Sequence, residues 1–323
     1  MDNNSKYDAI LFLSFGGPEG MADVMPFLAN VLRGKNVPEA RMKVVAHHYE
    51  LFDGVSPING QNRRLIAALE KELLRREINL PVYFGNRNWH PMLADTLRKM
   101  HEDGKKNILT FVTSAYSSYS GCRQYLEDIQ NALEETGLDL NISKLPVFFD
   151  DPLFVEANLD CMSKGLAQFS DEEKANLHIA FTAHSIPLSM AEKCQYQKQL
   201  EWTSAKCAEK LGEKNWKLVY QSRSGPPTQP WLEPDILDHI NTLHGAGVSN
   251  LLIHPIGFVS DHMEIIYDLD TEARDLCQKL GIKMVRSKSS GNSEHFYQLM
   301  GSLVEKQIQS KEMCACAPDC CLK

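Results

Sequence analysis

Ala9-Ile-Leu-Phe-Leu-Ser-Phe-Gly-Gly-Pro18 is an unbroken apolar run of strand length that stops at a Gly-Gly-Pro turn, and Ile179-Ala-Phe-Thr-Ala-His-Ser-Ile-Pro187 repeats the arrangement in the second half of the chain. A strand without polar alternation is expected where both faces are covered, as in a parallel sheet between helix layers. Working outward, strands are predicted at Ala9–Phe15, Val82–Gly85, Ile108–Ser114 and Lys144–Phe149, and then at Ile179–Ala183, Lys217–Gln221, Leu251–Phe258 and Lys283–Arg286. Amphipathic stretches fill the intervals, among them Leu93–Glu102, Cys122–Thr136, Pro152–Ala167, Met190–Leu211, Met263–Leu280 and Glu294–Gln309. Alternating strand and helix predicts an α/β protein of two similar doubly wound domains, each a four-stranded parallel sheet flanked by helices. The Asp150-Asp151-Pro152 turn signal sets the expected boundaries at residues 1–150 and 151–310, with residues 311–323 as a separate cysteine-rich tail. Ligands of such sheets lie at the carboxyl ends of the strands, so a site is expected where the two halves face each other.

At 323 residues, 43% hydrophobic and 24% charged, the composition is that of an ordinary globular protein. A net charge of −8 argues against a nucleic-acid partner. The apolar runs are too short for a transmembrane segment, and Met-Asp-Asn-Asn-Ser-Lys-Tyr7 lacks the basic-then-apolar pattern of a secretory signal, so a cytoplasmic location is expected. Four of the nine cysteines, Cys314, Cys316, Cys320 and Cys321, crowd the last ten residues, a density that in a reducing compartment points to metal or cluster ligation.

The stretch with the most chemistry is Gly257-Phe-Val-Ser-Asp-His-Met-Glu-Ile-Ile-Tyr-Asp-Leu-Asp-Thr-Glu272. On a helix, Glu264, Asp268 and Glu272 stand at i, i+4 and i+8 and project from nearly one face. Like charges so spaced weaken a helix by about a few tenths of a kcal/mol per pair, and a divalent cation would offset this. The competing reading is a solvated acidic face whose Asp261-x-x-Glu264 caps the helix. His184, at the end of its apolar strand, either bonds its own turn or serves as base or ligand; the acidic row on a neighbouring strand end favours the second. The Pro- and Gly-rich stretch Tyr220-Gln-Ser-Arg-Ser-Gly-Pro-Pro-Thr-Gln-Pro-Trp231 reads as a stiff loop whose Trp231 either walls a flat aromatic ligand or anchors the loop. Arg33, Ser56, Arg87 and Tyr125 are candidate carboxylate-binding groups.

Taken together these residues resemble the ferrochelatases, enzymes that insert ferrous iron into a porphyrin. The resemblance runs over essentially the whole chain, through Leu13-Ser-Phe-Gly-Gly-Pro18, Gly54-Val-Ser-Pro-Ile58, Thr182-Ala-His-Ser-Ile-Pro187, Tyr220-Gln-Ser222, Pro230-Trp-Leu232 and Gly257-Phe-Val-Ser-Asp-His-Met-Glu264. Thr113-Ser-Ala-Tyr-Ser-Ser-Tyr-Ser-Gly-Cys-Arg-Gln-Tyr125 and Gln221-Ser-Arg-Ser-Gly-Pro-Pro227 are similar to the actinobacterial form, which acts generally on coproporphyrin III, with protoporphyrin IX as the other substrate to test. The resemblance implies a chelatase-like fold and a lyase of haem biosynthesis. It implies His184 and Glu264 as a catalytic pair in reach of the metal, with Asp268 and Glu272 as an outer metal site. Phe15, Arg33, Ser56, Arg87, Tyr125 and Trp231 are implied in holding the porphyrin. Phe15 departs from relatives with Tyr at that position, so no axial tyrosinate is available, and the segment Lys35–Tyr49 is polar where the animal enzymes have a membrane-seeking lip.

The tail resembles that of cluster-bearing ferrochelatases, which implies a two-iron, two-sulfur cluster on Cys122, Cys314, Cys316 and Cys321, with Cys161 or Cys320 as substitutes; a zinc site is the competing reading. The expected protein is thus a monomer that takes porphyrin and ferrous iron as substrates and meets other haem-pathway proteins at most transiently. The alternatives are a chelatase for another metal and tetrapyrrole, or a non-catalytic haem or iron carrier.

Overall fold

Each of the two matching apolar runs becomes an interior strand of a parallel sheet. The computed structural model describes residues 6–34, 39–226, 228–310 and 320–322, the side chain of Arg41 excepted. Strands β1 (Ala9–Ser14), β2 (Val82–Asn86), β3 (Asn107–Val112) and β4 (Asn141–Lys144) form one sheet in the order β2-β1-β3-β4. Strands β5 (Leu177–His184), β6 (Trp216–Gln221), β7 (Asn250–His254) and β8 (Lys283–Arg286) form a second in the order β6-β5-β7-β8. Every pairing is parallel. All of β1 is buried, and β5 is buried up to its last residue, His184, as strands covered on both faces must be. The expected α/β fold of two four-stranded parallel sheets is therefore present.

Two compact units divide the chain. One takes Met1–Thr113, Gln124–Pro146 and Met300–Ala317; the other takes Ser114–Arg123, Val147–Leu299 and Pro318–Lys323. In the first, helix Leu93–Glu102 buries Leu93, Thr96, Leu97 and Met100, the i, i+3, i+4, i+7 stripe of an amphipathic helix, against Leu11, Leu13, Ile108 and Val112. In the second, Ile265, Leu269, Ala273 and Cys277 form an apolar row against Ile236, Ile240 and Leu251. The acidic row Glu264, Asp268, Glu272 lies one residue ahead of that apolar row. Burial of the one row thus fixes where the other points.

Several boundaries differ from expectation, for local reasons. The fourth strand ends at Lys144 rather than Phe149: Leu145 N–H still reaches the Thr110 carbonyl at 2.8 Å, but Pro146 has no N–H to continue the ladder. The seventh strand ends at His254, ahead of Pro255. The single helix expected over Met263–Leu280 is an α-turn (Met263–Tyr267), a π-helical stretch (Asp268–Ala273) and an α-helix (Arg274–Leu280). A π-helical turn, Tyr119–Arg123, likewise opens the helix expected from Cys122, before Gln124–Thr136. Met190–Leu211 is two helices, Leu188–Ala191 and Tyr196–Leu211. A helix over Glu39–Glu50 lies in the polar segment that carried no helix signal.

Candidate active site

In the second unit the strand register assembles the site. His184 closes β5 and pairs with Gln221, which closes β6. The chain after β7 then folds back over β5: Gly257 N–H reaches the Thr182 carbonyl at 3.0 Å, and a Cβ at 257 would stand 2.6 Å from Ala183 Cβ and 2.8 Å from its Cα. Only glycine permits that approach. Five residues on, His262 caps the next helix, its Nδ1 accepting the Glu264 N–H at 3.2 Å. The cap is therefore His262, not Asp261, whose carboxylate is engaged elsewhere.

This places Glu264 Oε1 3.6 Å from His184 Nε2, with the two side chains 46% and 33% exposed. His184 Nδ1 donates to the Ser185 carbonyl, which leaves Nε2 for the carboxylate. Tyr196 Oη holds the His184 carbonyl at 3.1 Å. Burial opposes the imidazolium, but the charge and hydrogen bonding of Glu264 outweigh it and raise the His184 pKa to about 9. Burial likewise works against the Glu264 carboxylate, and the facing histidine overrides it, lowering the pKa to about 2. At neutral pH the pair therefore shares one proton, held on His184. His262, burdened by burial, stays below its ordinary value and is neutral, as its accepting Nδ1 requires.

Asp268 belongs to the same cluster. Ser222 Oγ donates to its Oδ2, and Gln221 Nε2 spans the Glu264 carbonyl at 3.0 Å and Asp268 Oδ2 at 3.4 Å. Ser222 does this from a left-handed backbone conformation, φ 62°, that a non-glycine residue adopts at a cost of about 1–3 kcal/mol. Burial first, and then the charges of Glu264 and Glu272, raise the Asp268 pKa to about 7 despite the serine bond. Glu272 is exposed and also raised, by burial of its carboxyl and by Asp235. The row thus grades from an ionised acid beside His184, through one poised near neutrality, to one in solvent. Gln221 and Ser222 gain their roles here. In the sequence Gln221 stood only as a member of the Tyr220-Gln-Ser222 motif, with no role read for it.

Trp231 is anchored behind this strand end. An isolated bridge pairs it with Pro187, Leu232 N–H reaches the Ile186 carbonyl at 3.0 Å, and its indole lies against Gly225, where a Cβ would stand 2.3 Å from Nε1. Its 8% exposure and unpartnered Nε1 make it an anchor of the loop, with only an edge open to any ligand.

In the first unit, the remaining expected residues form a different kind of assembly. Arg87 is 6% exposed, pairs with Asp128, and lies 4.6 Å from the Tyr125 ring centre and 5.7 Å from that of Phe15. Its charge is thus already neutralised and stacked. Ser56 is buried against Gly17, where a Cβ would meet Ser56 Cβ at 2.7 Å. Phe15 is 38% exposed with an edge-to-face contact to Phe27, and Arg33, on the surface, donates to Asn30 Oδ1 at 2.7 Å. Of the expected porphyrin contacts in this unit, Phe15 and Arg33 are the open ones.

Of the cysteines, Cys314 and Cys316 lie outside the described residues. Cys320 and Cys321 have their sulfurs 3.4 Å apart, and Cys321 is buried within the electrostatic reach of Cys122 and Cys194. Among the described residues no three cysteine, histidine or acidic side chains gather closely enough to hold a metal ion. Cys161 instead donates to the Ser289 carbonyl at 3.3 Å, and burial raises its pKa to about 12. It is an inert core thiol.

Two four-stranded parallel sheets flanked by helices make this a chelatase-like α/β fold. The structure is similar to SirB from Bacillus subtilis with Fe3+, at a TM-score of 0.55 and 12% identity over 93% of this chain and 95% of that one. The ferrochelatase family model matches residues 7–308. A ferrochelatase of Rhodopirellula baltica is 51% identical, covering 98% of this chain and 93% of its own length. A coproporphyrin III ferrochelatase of Streptomyces coelicolor is 47% identical, covering 97% and 89%. The chain therefore belongs to the ferrochelatase family, the lyases that insert ferrous iron into a porphyrin in haem biosynthesis. Among the described residues no helix is long and apolar enough to cross a membrane.

Proposed function

We propose that the porphyrin is coproporphyrin III and that His184 and Glu264 take its pyrrole protons. The observation that carries the reading is the half-exposed pair itself, 3.6 Å apart, in which one proton is shared between two bases. Insertion replaces two pyrrole N–H protons by one ferrous ion, so two protons leave for each iron bound. In the resting pair His184 carries a proton and is no base. An approaching dication opposes the imidazolium charge, His184 releases that proton toward the acidic row, and its freed Nε2 accepts a pyrrole proton. Glu264, ionised in the resting pair, faces the entering metal, accepts the second pyrrole proton and passes it toward Asp268. Asp268 and Glu272 receive iron at the outer end and pass protons to solvent.

Two observations support coproporphyrin III. The Streptomyces coelicolor relative is a coproporphyrin III ferrochelatase, and the helix over Glu39–Glu50 is polar enough to suit a substrate with four carboxylates rather than a lipid surface. Phe15 and Arg33 carry the exposed groups suited to an aromatic face and a carboxylate, while Ser56, Arg87, Tyr125 and Trp231 are committed to packing within their own units. Anaerobic ferrous iron assays with coproporphyrin III and protoporphyrin IX test this. Faster turnover of protoporphyrin IX would overturn the substrate assignment, and no turnover with either would overturn the reading. The proposal extends to a cytoplasmic, monomeric enzyme with a two-iron, two-sulfur cluster on Cys122, Cys314, Cys316 and Cys321. A red-brown protein on anaerobic purification is the expected sign of that cluster, and a colourless one would exclude it.

A further inference from the structure

The acids of the catalytic helix fall into two sets. Among the described residues, the ion-pair partners of Glu264 are histidines, and no lysine or arginine pairs with Asp268 or Glu272. Asp261 and Asp270, on the same stretch of chain, both belong to Arg286, the last residue of β8. The Arg286 guanidinium is 5% exposed and engaged through all three nitrogens: Nε donates to Asp270 Oδ1 at 3.0 Å, one terminal nitrogen donates to Asp270 Oδ2, and the other donates to Asp261 Oδ1 at 2.9 Å and to the Ser287 carbonyl at 3.3 Å. Asp261 is anchored further by the Ser289 N–H at 3.1 Å and by Lys288 at 3.8 Å. Asp270 also takes Arg274 at 3.2 Å.

Asp261 precedes the capping His262, and Asp270 lies within the π-helical stretch. Everything between them, including Glu264 and Asp268, is therefore held from both ends by one planar cation on the neighbouring strand. Such a fork matches a carboxylate bidentately and loses little freedom per bond formed, so it sets angle as well as distance. We infer that Arg286 is a positioning residue for iron insertion: by holding Asp261 and Asp270 together it sets the reach of Glu264 to His184 and the placement of Asp268. The inference rests on the proposal that the His184–Glu264 pair reacts at the porphyrin. Reacting groups displaced by about 1 Å lose up to about 100-fold in rate, so a loosened clamp acts on turnover while the porphyrin still binds.

The experiment uses the full-length enzyme with ferrous iron and coproporphyrin III. Arg286→Met strips two largely buried carboxylates of their main partner and is at risk of not folding, so the decisive variant is Asp270→Asn, which keeps the shape of the side chain and weakens one end of the clamp. The expected result is a fall in kcat of about 10-fold and a rise in the iron KM, with porphyrin affinity by absorbance titration unchanged. Asp270→Glu, which can rebuild the two-point contact, should recover most of the loss. Arg274→Ala removes an exposed partner of Asp270 without touching Arg286 and should behave as wild type. If Asp270→Asn lowers only the melting temperature and leaves both kinetic constants intact, the clamp is structural and the inference fails. If His184→Ala retains full activity, the underlying reading of the pair fails instead, whatever Asp270→Asn does.

Discussion

The two sheets share one strand order, yet the ends of their matching strands are put to opposite uses. At the end of β1, polar groups are consumed internally: Arg87 is paired with Asp128 and stacked on Tyr125, and Asn59 bridges the Gly17 carbonyl at 3.1 Å and Asn86 at 3.0 Å. At the end of β5, His184, Glu264 and Asp268 are left mutually under-neutralised, and their pKa values are driven apart as a result. Duplicating a fold thus did not duplicate its chemistry. A site needs residual charge that the surrounding structure declines to cancel, and among the described residues the β5 end keeps such charge where the β1 end does not.

The sharpest way to break this contrast is His184→Ala. If the β5 end is the reacting one, kcat should fall by about 1,000-fold, the middle of the range for a positioned acid–base group, with coproporphyrin affinity unchanged in absorbance titrations. Retention of more than a tenth of the activity would remove the pair from the chemistry. The mirror experiment is Arg87→Met at the β1 end. There the expected loss is stability, about 2–3 kcal/mol, because Asp128 keeps its charge in a partly buried place and the aromatic stacking is lost. Thermal or denaturant unfolding measures it, and kcat per folded molecule should hold. An unchanged melting temperature together with a raised porphyrin KM would instead give Arg87 the substrate-binding role that its sequence context suggested.

Those two residues also show how far sequence can be read. The interior strands were legible because a parallel strand buried on both faces leaves an unbroken apolar run; the largest shifts, in β4 and β7, come where Pro146 and Pro255 interrupt the ladder, and the ends of the other strands moved by no more than two residues. His184 and Glu264 were legible through motifs whose spacing survives at the level of sequence. Arg87 was not, since its commitment depends on Asp128 and Tyr125, supplied by a helix forty residues further along and invisible as partners without the fold. The π-helical stretch at Asp268–Ala273 left no composition signal, because its register is decided by the packing of Leu269 and Ala273 and by the Arg286 clamp rather than by propensity. Asp261, expected as a helix cap, was lost to the same clamp.

Within the reacting unit, the acidic row should grade in effect from its inner to its outer end. Asp268, its pKa raised to about 7, is protonated below that pH and ionised above it. As an iron receptor it works only when ionised, so the wild-type iron KM should fall as pH rises through about 7. Asp268→Asn should raise that KM about 10-fold at alkaline pH, abolish the pH dependence and change kcat less. A pH profile that persists in the variant would assign the titration to another group.

Glu272 should show the smallest effect, and its size discriminates between a path and a surface. It is exposed, so water screens its charge and its substitution removes little binding energy. If iron enters along the row, Glu272→Gln should raise the iron KM by about 2- to 3-fold at low ionic strength, and the difference should shrink as salt is added, because attraction of a dication to an exposed acid is lost within about 10 Å at 0.1 M salt. Porphyrin KM and kcat should not move. A salt-independent effect would mean that Glu272 acts through the helix, by relieving repulsion on Asp268, since a partly buried pair is screened far less. No effect at any salt concentration would end the row at Asp268 and confine the unneutralised charge of the β5 end to His184, Glu264 and Asp268.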